Sequence, residues 1–166
     1  DRTGDRPAAP RLPIRAPLLD EEGFDTRGNR VFFSRLTTGR WLLDGHRLAD
    51  GTALVPGTGL LEFAAQALAA QGEGTALEMR DFTFFRPLVV DAPVEARARL
   101  TRSDEGYGFD LMSDVMVQGH RGWQTHATAS LAPLKDAAPR LDVAAIRARL
   151  GAAETGAGLR TGQEDH

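Results

Sequence analysis

The sequence predicts an α+β domain in which a curled antiparallel sheet surrounds one central helix. The first observation is a helical pattern at residues 60–70, where one face is apolar: Leu60, Leu61, Ala64, Ala67 and Leu68. The second is the order of the strand-like runs. One run, Arg30–Leu36, precedes the helix, and four follow it, at residues 77–90, 93–101, 108–117 and 123–131. A further amphipathic segment at residues 141–150 predicts a short helix.

The boundaries of these runs come from turn residues and alternation. The run at 77–90 contains Pro87, so we expect a break in that strand near the proline. In the run at 93–101 apolar and polar residues alternate, which places the apolar set on one face of the sheet. Turns are expected at residues 72–74, 104–106 and 118–122.

The composition restricts the class of protein. The chain has 166 residues and a formal net charge of −3, which fits one domain and gives no basic surface for nucleic acid. It contains no cysteine, which excludes disulfides and thiolate metal sites, and no spacing of His and carboxylates indicates a metal site. No apolar run is long enough for a membrane, and no signal-peptide pattern is present. We therefore expect a cytoplasmic protein that binds neither nucleic acid nor membrane.

A motif of His, Gly, Pro and Gly leads into the central helix. His46 is followed by Gly51 and then by Pro56 and Gly57. Proline suits a helix entry because its φ is fixed and it has no N–H to satisfy. Thr58 is the expected N-cap. The free N–H groups and the positive dipole end near Gly57 suit a carbonyl oxygen that gains negative charge.

These residues resemble the N-terminal half of the dehydratase domain of modular polyketide synthases, which is a double-hotdog fold. They are similar, more distantly, to the stand-alone β-hydroxyacyl-carrier-protein dehydratases of fatty-acid synthesis. In both families a His shortly before the Pro-Gly of the central helix is the catalytic base. The family separates this His from the following Gly by three residues, whereas four do so here, so we expect a longer turn after His46. Near its start the family usually has His-Pro-Leu-Leu, whereas this chain has Ala16 in place of that His.

The resemblance implies a domain organisation. It covers residues 16–150, which would form the N-terminal hotdog. Residues 1–15 would be a linker, and residues 151–166 a linker toward a second hotdog that the chain lacks. Because a lone hotdog leaves a sheet edge unpaired, we expect the apolar residues of Arg30–Leu36 and of the central helix to contact a second hotdog, either covalently linked or in a homodimer.

The resemblance also implies a function, that of a hydro-lyase. A (3R)-3-hydroxyacyl thioester on the phosphopantetheine arm of an acyl carrier protein would lose water to give an enoyl thioester, with no metal or organic cofactor. His46 would remove the C2 proton, and the Gly57 amide would polarise the thioester carbonyl. Gly51 and Pro56 complete the motif. The implied partners are the acyl carrier protein, other polyketide synthase domains and the second hotdog.

Glu62 leaves the source of the acid open. It lies six residues after Pro56 and forms with Gln66 a Glu-x3-Gln pattern like that of the stand-alone enzymes. In polyketide dehydratases the acid is an Asp of the second hotdog, and Glu62 would then be structural. In a homodimer it would protonate the leaving hydroxyl. The alternatives are an inactive or altered module, acting as an isomerase, a cyclase or a carrier-protein-binding unit, and a hotdog thioesterase, which normally lacks the His–Gly–Pro arrangement.

The remaining polar and aromatic residues have structural interpretations. His126, in Trp123-x2-His126-Ala127, matches a strand motif of the same family and is expected to pack and to hydrogen-bond rather than to catalyse. His120 is expected in a solvated turn. Trp41 is expected in the core or in a lid. Arg97 and Arg99 are interpreted as solvated charges.

Overall fold

The computed structural model describes residues 10–74, 76–134 and 140–150. The chain divides into two compact units, Asp1–Lys135 and Asp136–His166. Within the described residues the strands lie in the first unit, in chain order β1 (Leu12–Pro13), β2 (Glu21–Phe24), β3 (Arg30–Leu36), β4 (Leu54–Val55), β5 (Leu77–Phe84), β6 (Leu88–Val89), β7 (Val94–Ser103), β8 (Gly106–Val117) and β9 (His120–Pro133). It also contains helix α1 (Gly57–Ala70), and the second unit contains α2 (Val143–Leu150). No helix in the described ranges has the length and apolar character needed to cross a membrane.

Seven of the strands form one antiparallel sheet in the order β1-β2-β3-β7-β8-β9-β5, while β4 pairs with β6. This sheet and the helix against it confirm the predicted α+β hotdog fold. Two short strands precede those predicted, and β1 lies inside the segment expected to be a linker, where Leu12 pairs with Glu22 of β2. The sheet therefore begins upstream of residue 16. The predicted linker at residues 151–166 lies outside the described residues.

Helix α1 packs its apolar face on the sheet. Leu60, Ala64, Ala67 and Leu68 are buried as predicted, but Leu61 is only half-buried, and the fully buried Phe63 adds to this face instead. The sheet supplies the other half of the core, chiefly from β3, β7, β8 and β9: Phe32, Leu36, Ala96, Ala98, Leu100, Phe109, Leu111, Ala127 and Leu131.

The helix begins earlier than predicted. Pro56, not Thr58, is the N-cap, and no side chain caps the helix. The reason is that the Pro56 carbonyl already accepts hydrogen bonds from the amides of Gly59, at 2.8 Å, and Leu60, at 3.2 Å. Gly57 is consequently the first helical residue.

Arg97 and Arg99 of β7 are not the solvated charges that the sequence predicted. Arg99 pairs with Asp110 at 2.7 Å. The Arg97 guanidinium lies 4.1 Å from the ring centroid of Trp123 and is partly buried, and burial lowers its pKa. Neither side chain is a freely solvated charge, because each lies against a neighbouring strand.

The structure bears on three further predictions, which concern β3, the break near Pro87 and the location of His120. β3 lies between β2 and β7, so neither of its edges is free to pair with a strand of a second hotdog. The expected contact of its apolar residues and of the helix with a second hotdog stays a prediction. The strands at the two ends of the sheet are β1 and β5. The break near Pro87 is confirmed, because β5 ends at Phe84 and β6 begins at Leu88. β9 begins at His120, which is exposed as expected but lies in the strand rather than in the turn.

Candidate functional site

His46 begins a short hairpin that returns to the helix entry. Its carbonyl accepts a hydrogen bond from the Leu54 amide at 3.0 Å. At the tip the Leu48 amide donates to the Thr52 carbonyl and the Gly51 amide to the Leu48 carbonyl, both at 2.9 Å. Gly51 has a φ of 85°, the left-handed conformation that closes three-residue hairpin loops. The four residues between His46 and Gly51 are therefore accommodated by a regular hairpin.

The imidazole of His46 is exposed, and one of its nitrogens has a partner. Nδ1 lies 3.2 Å from the carbonyl oxygen of Asp44. Because a carbonyl only accepts, a neutral ring in this arrangement carries its proton on Nδ1 and leaves the lone pair on Nε2. The backbone is anchored too, since the His46 amide donates at 3.1 Å to the carbonyl of Leu43, which is fully buried. The ring can thus act as a base through Nε2.

Trp41 opens the 3₁₀ turn that precedes His46, Trp41–Leu43. Its side chain is 61% exposed, so of the two predicted locations the core is wrong, while a place in a lid stays a prediction. Leu42 and Leu43 of the same turn are buried instead. The core contact of this segment comes from the two leucines, and the tryptophan stands outside it.

Gly57 is at the N-terminus of α1, where the first amides have no partner within the helix. A Cβ at Gly57 would lie 3.7 Å from the ring of Phe84, so this aromatic side chain stands beside the helix entry. Gly59 is packed more tightly, because a Cβ there would lie 3.0 Å from Val55 and 3.1 Å from Leu42. The helix entry, the His46 hairpin and the 3₁₀ turn are therefore packed as one group.

Glu62 is on the exposed side of α1, and it accepts a hydrogen bond from Gln66 Nε2 at 2.8 Å. Gln66 Oε1 in turn accepts from the Leu18 amide at 2.8 Å. Within the described residues Glu62 and His46 share no hydrogen bond. The structure brings His46, Gly51, Pro56 and Gly57 together along one continuous segment and does not join Glu62 to them.

His126 confirms the structural interpretation from the sequence. It is 3% exposed, its Nε2 lies 2.8 Å from Ser113 Oγ, and its Nδ1 lies 3.3 Å from the Arg86 carbonyl. Burial lowers the pKa of His126. Ser113 and Phe84 were not singled out by the sequence. Their roles depend on cross-strand register, and the only available signal was the aromatic run that contains Phe84.

The surface outside this segment has clefts of its own. The largest of those described here, about 650 Å³, is lined by Arg86, Trp123 and residues of β8 and β9. It does not include His46, Gly57 or Glu62. Among the described residues, no three His, Asp or Glu side chains are grouped closely enough to hold a metal ion.

A family model for the polyketide synthase dehydratase domain matches residues 16–114. A search of curated proteins finds no match. Similar solved structures include the erythromycin dehydratase, with 28% identity and a TM-score of 0.62 over 80% of this chain and 50% of that chain.

Two further solved structures are similar to this chain. The dehydratase domain from the terminal module of the rifamycin polyketide synthase is 30% identical, with a TM-score of 0.61 over 78% of this chain and 48% of that one. A bifunctional dehydratase-cyclase domain in ambruticin biosynthesis is 26% identical, with a TM-score of 0.62 over 81% of this chain and 49% of that one. The chain spans about half the length of the structures it matches.

Proposed function

The chain belongs to the polyketide synthase dehydratase domain family as an N-terminal hotdog half, and we propose that it supplies the base for the elimination of water from a (3R)-3-hydroxyacyl thioester. The observation that carries the proposal is the segment from His46 to Gly57. Its hairpin ends at the N-terminus of α1, and the imidazole Nε2 has a lone pair available. A base and a hydrogen-bond donor for an oxyanion thus lie on one packed segment.

The proposed reaction uses these two groups in one elimination. Nε2 of His46 takes the C2 proton as that C–H bond breaks. The thioester oxygen gains negative charge and accepts a hydrogen bond from the Gly57 amide at the positive end of α1. The C2=C3 double bond then forms as the C3–O bond breaks. A carboxylic acid gives its proton to the leaving hydroxyl, and the products are an enoyl thioester and water.

The acid and the partners belong to the same proposal. We propose that the acid lies on a second hotdog unit. Glu62 accepts a hydrogen bond from Gln66 and, within the described residues, shares none with His46. β5 is one of the two end strands of the sheet, and Phe84 and Phe85 beside its edge are exposed, which suits the attachment of a second unit there. The substrate would arrive on the phosphopantetheine arm of an acyl carrier protein within a polyketide synthase, and the chemistry requires no other cofactor.

Substitution of His46 tests the proposal in the intact protein that carries this chain. A 3-hydroxyacyl pantetheine thioester is supplied, and loss of one water is followed by mass spectrometry. We expect His46→Ala to lower the rate by on the order of 10²–10⁴-fold. His120→Ala is the matched control, since that His is exposed at the start of β9, and it should retain the wild-type rate. Equal rates for both variants would refute the assignment of the base.

Cyclisation is the second candidate, because a dehydratase-cyclase domain is among the similar structures. A cyclase acting on a substrate with a further hydroxyl adds that oxygen across the enoyl double bond. Ultraviolet absorbance, measured on a substrate with a further hydroxyl, distinguishes the two, since dehydration alone gives an enoyl product that absorbs, whereas ring closure removes that absorbance without a further change in mass.

A further inference from the structure

Residue 126 holds the chain segment that follows β5 in two ways. Its backbone carbonyl accepts a hydrogen bond from the Phe85 amide at 2.8 Å. Its ring reaches the next residue, with Nδ1 3.3 Å from the carbonyl oxygen of Arg86. The His126 side chain is therefore in hydrogen-bond contact with the short connection between β5 and β6.

A β-bulge is the reason that His126 can make this contact. In the pairing of β8 with β9, Leu111 faces Ala127 but Met112 faces Thr125, so residue 126 is the extra residue of β9. A bulge redirects the side chain of the extra residue. Here the ring enters the protein interior, where it is 3% exposed.

Ser113 is the second partner of this ring. Its hydroxyl lies 2.8 Å from Nε2 and the residue is 5% exposed. The Arg86 carbonyl can only accept, so Nδ1 carries the proton, and Nε2 accepts from the Ser113 hydroxyl. Both ring nitrogens are thus satisfied in the neutral form, which burial also favours because it lowers the pKa of His126.

The segment held by His126 begins beside the helix entry. Phe84 comes directly before Phe85, and its ring lies 3.7 Å from the position that a Cβ of Gly57 would occupy. The ring is supported from behind by Phe82, at 4.9 Å between centroids, and Phe82 lies 6.2 Å from Phe109 in the core. Phe84 itself is 53% exposed, so its other side is open.

We propose that His126 is a positioning residue, which holds the Arg86 carbonyl and thereby keeps the Phe84 ring beside Gly57. The ring shields the side of the helix N-terminus that it covers from water, so that a hydrogen bond from the Gly57 amide to a developing oxyanion is stronger. The position of Phe84 is independent of the reaction. Its consequence for catalysis rests on the proposed function.

Two isosteric substitutions separate the contacts of the ring. In His126→Asn the amide nitrogen takes the place of Nδ1 and keeps the donor to Arg86. In His126→Gln the amide takes the place of Nε2, so the contact with Ser113 is kept and the donor to Arg86 is lost. The readout is the ¹H–¹⁵N signal of the Gly57 amide, because a nearby aromatic ring shifts it. Phe84→Leu gives the position of this signal without the ring.

We expect His126→Gln to move the Gly57 signal toward its position in Phe84→Leu, while His126→Asn leaves it near wild type. Ser113→Ala is a further control, since it removes the partner of Nε2 and keeps the Nδ1 donor to the Arg86 carbonyl, and it should leave the signal near wild type. A Gly57 signal that stays in place in His126→Gln, or that moves equally in the Asn and Gln variants, overturns the proposal.

Kinetics of the intact protein test the consequence for catalysis. We expect His126→Gln to lower kcat by about tenfold to a hundredfold with little change in KM, and His126→Asn to restore most of the rate. An unchanged kcat in His126→Gln would overturn the catalytic consequence. The two proposals fail separately. Full activity of His46→Ala would remove the proposed base, whereas the Gly57 signal still decides whether His126 positions Phe84.

Discussion

The side-chain oxygen of Gln66 accepts a hydrogen bond from the backbone amide of Leu18 at 2.8 Å. Leu18 is fully buried and lies between β1 and β2, so this bond ties the connection between these two strands to the middle of α1. The amide nitrogen of Gln66 is also used, because it donates to Glu62. The Glu-x3-Gln pattern that resembled a catalytic pair thus has a structural use in this chain.

Removal of the Gln66 side chain should destabilise the protein. Gln66→Ala leaves the buried amide of Leu18 without its acceptor, which costs about 1–3 kcal/mol in free energy of unfolding. Glu62→Ala is the control, since it removes only the exposed partner and should change the free energy by less than about 0.5 kcal/mol. Urea unfolding measures both, and equal effects of the two substitutions would contradict this account.

The helix entry offers a matched pair of glycines. A Cβ at Gly59 would lie 3.0 Å from Val55 and 3.1 Å from Leu42, whereas at Gly57 the nearest atom would be 3.7 Å away. We expect Gly59→Ala to lower the free energy of unfolding by about 1–3 kcal/mol, because the packing must give way. Gly57→Ala should be tolerated, since 3.7 Å is an ordinary contact. Thermal unfolding of the two variants checks the order, and a more stable Gly59→Ala would contradict it.

The sequence predicted the elements that depend on local patterns. Strand β3 was predicted with the bounds that it has, because its run of apolar residues is flanked by polar ones. Strands β1 and β2 were missed, since two and four residues are too few for a periodic signal. They are defined instead by pairing in the sheet, β1 with β2 and β2 with β3, which a local pattern does not show.

Side-chain environments were predicted less well, because they depend on register. Arg97 was expected in solvent, but it lies over Trp123, a residue of β9 that only the pairing of three strands brings near it. The hydrogen bonding of His126 was predicted, whereas the bulge that turns its ring inward was not. The motif from His46 to Gly57 was found because it is contiguous in sequence, and the roles of its residues remain predictions.

Glu62 distinguishes a second hotdog unit from a homodimer as the source of the acid. If the acid lies on a different unit, Glu62→Gln should change the dehydration rate of the intact protein by less than about threefold, because the new amide can still bond to Gln66. If Glu62 of a partner chain is the acid, the same substitution should cost on the order of 10²–10⁴-fold. We expect the first outcome. The rate with a 3-hydroxyacyl pantetheine thioester measures it, with Gln66→Ala as the control for loss of helix stability.

The stability of the fold should depend on pH through His126. Burial lowers the pKa of this side chain below its ordinary value of 6.5, and the positive charge of Arg86 acts in the same direction, while the carbonyls of Arg86 and Pro87 act against it. In the unfolded chain the ring recovers a pKa near about 6.5. Below that pH the unfolded state binds a proton that the native state does not, so the native state loses stability.

The stability that depends on a neutral His126 is therefore complete above about pH 6.5, and it decreases as the pH falls from there through the lowered native pKa. Urea unfolding across this range measures the free energy for the wild type and for His126→Gln, which has no titrating group at this position. We expect the stability of the wild type relative to the variant to decline as the pH is lowered, because only the wild type must exclude a proton from the interior. A difference between the two proteins that stays constant over the range would show that the buried ring does not limit stability in acid.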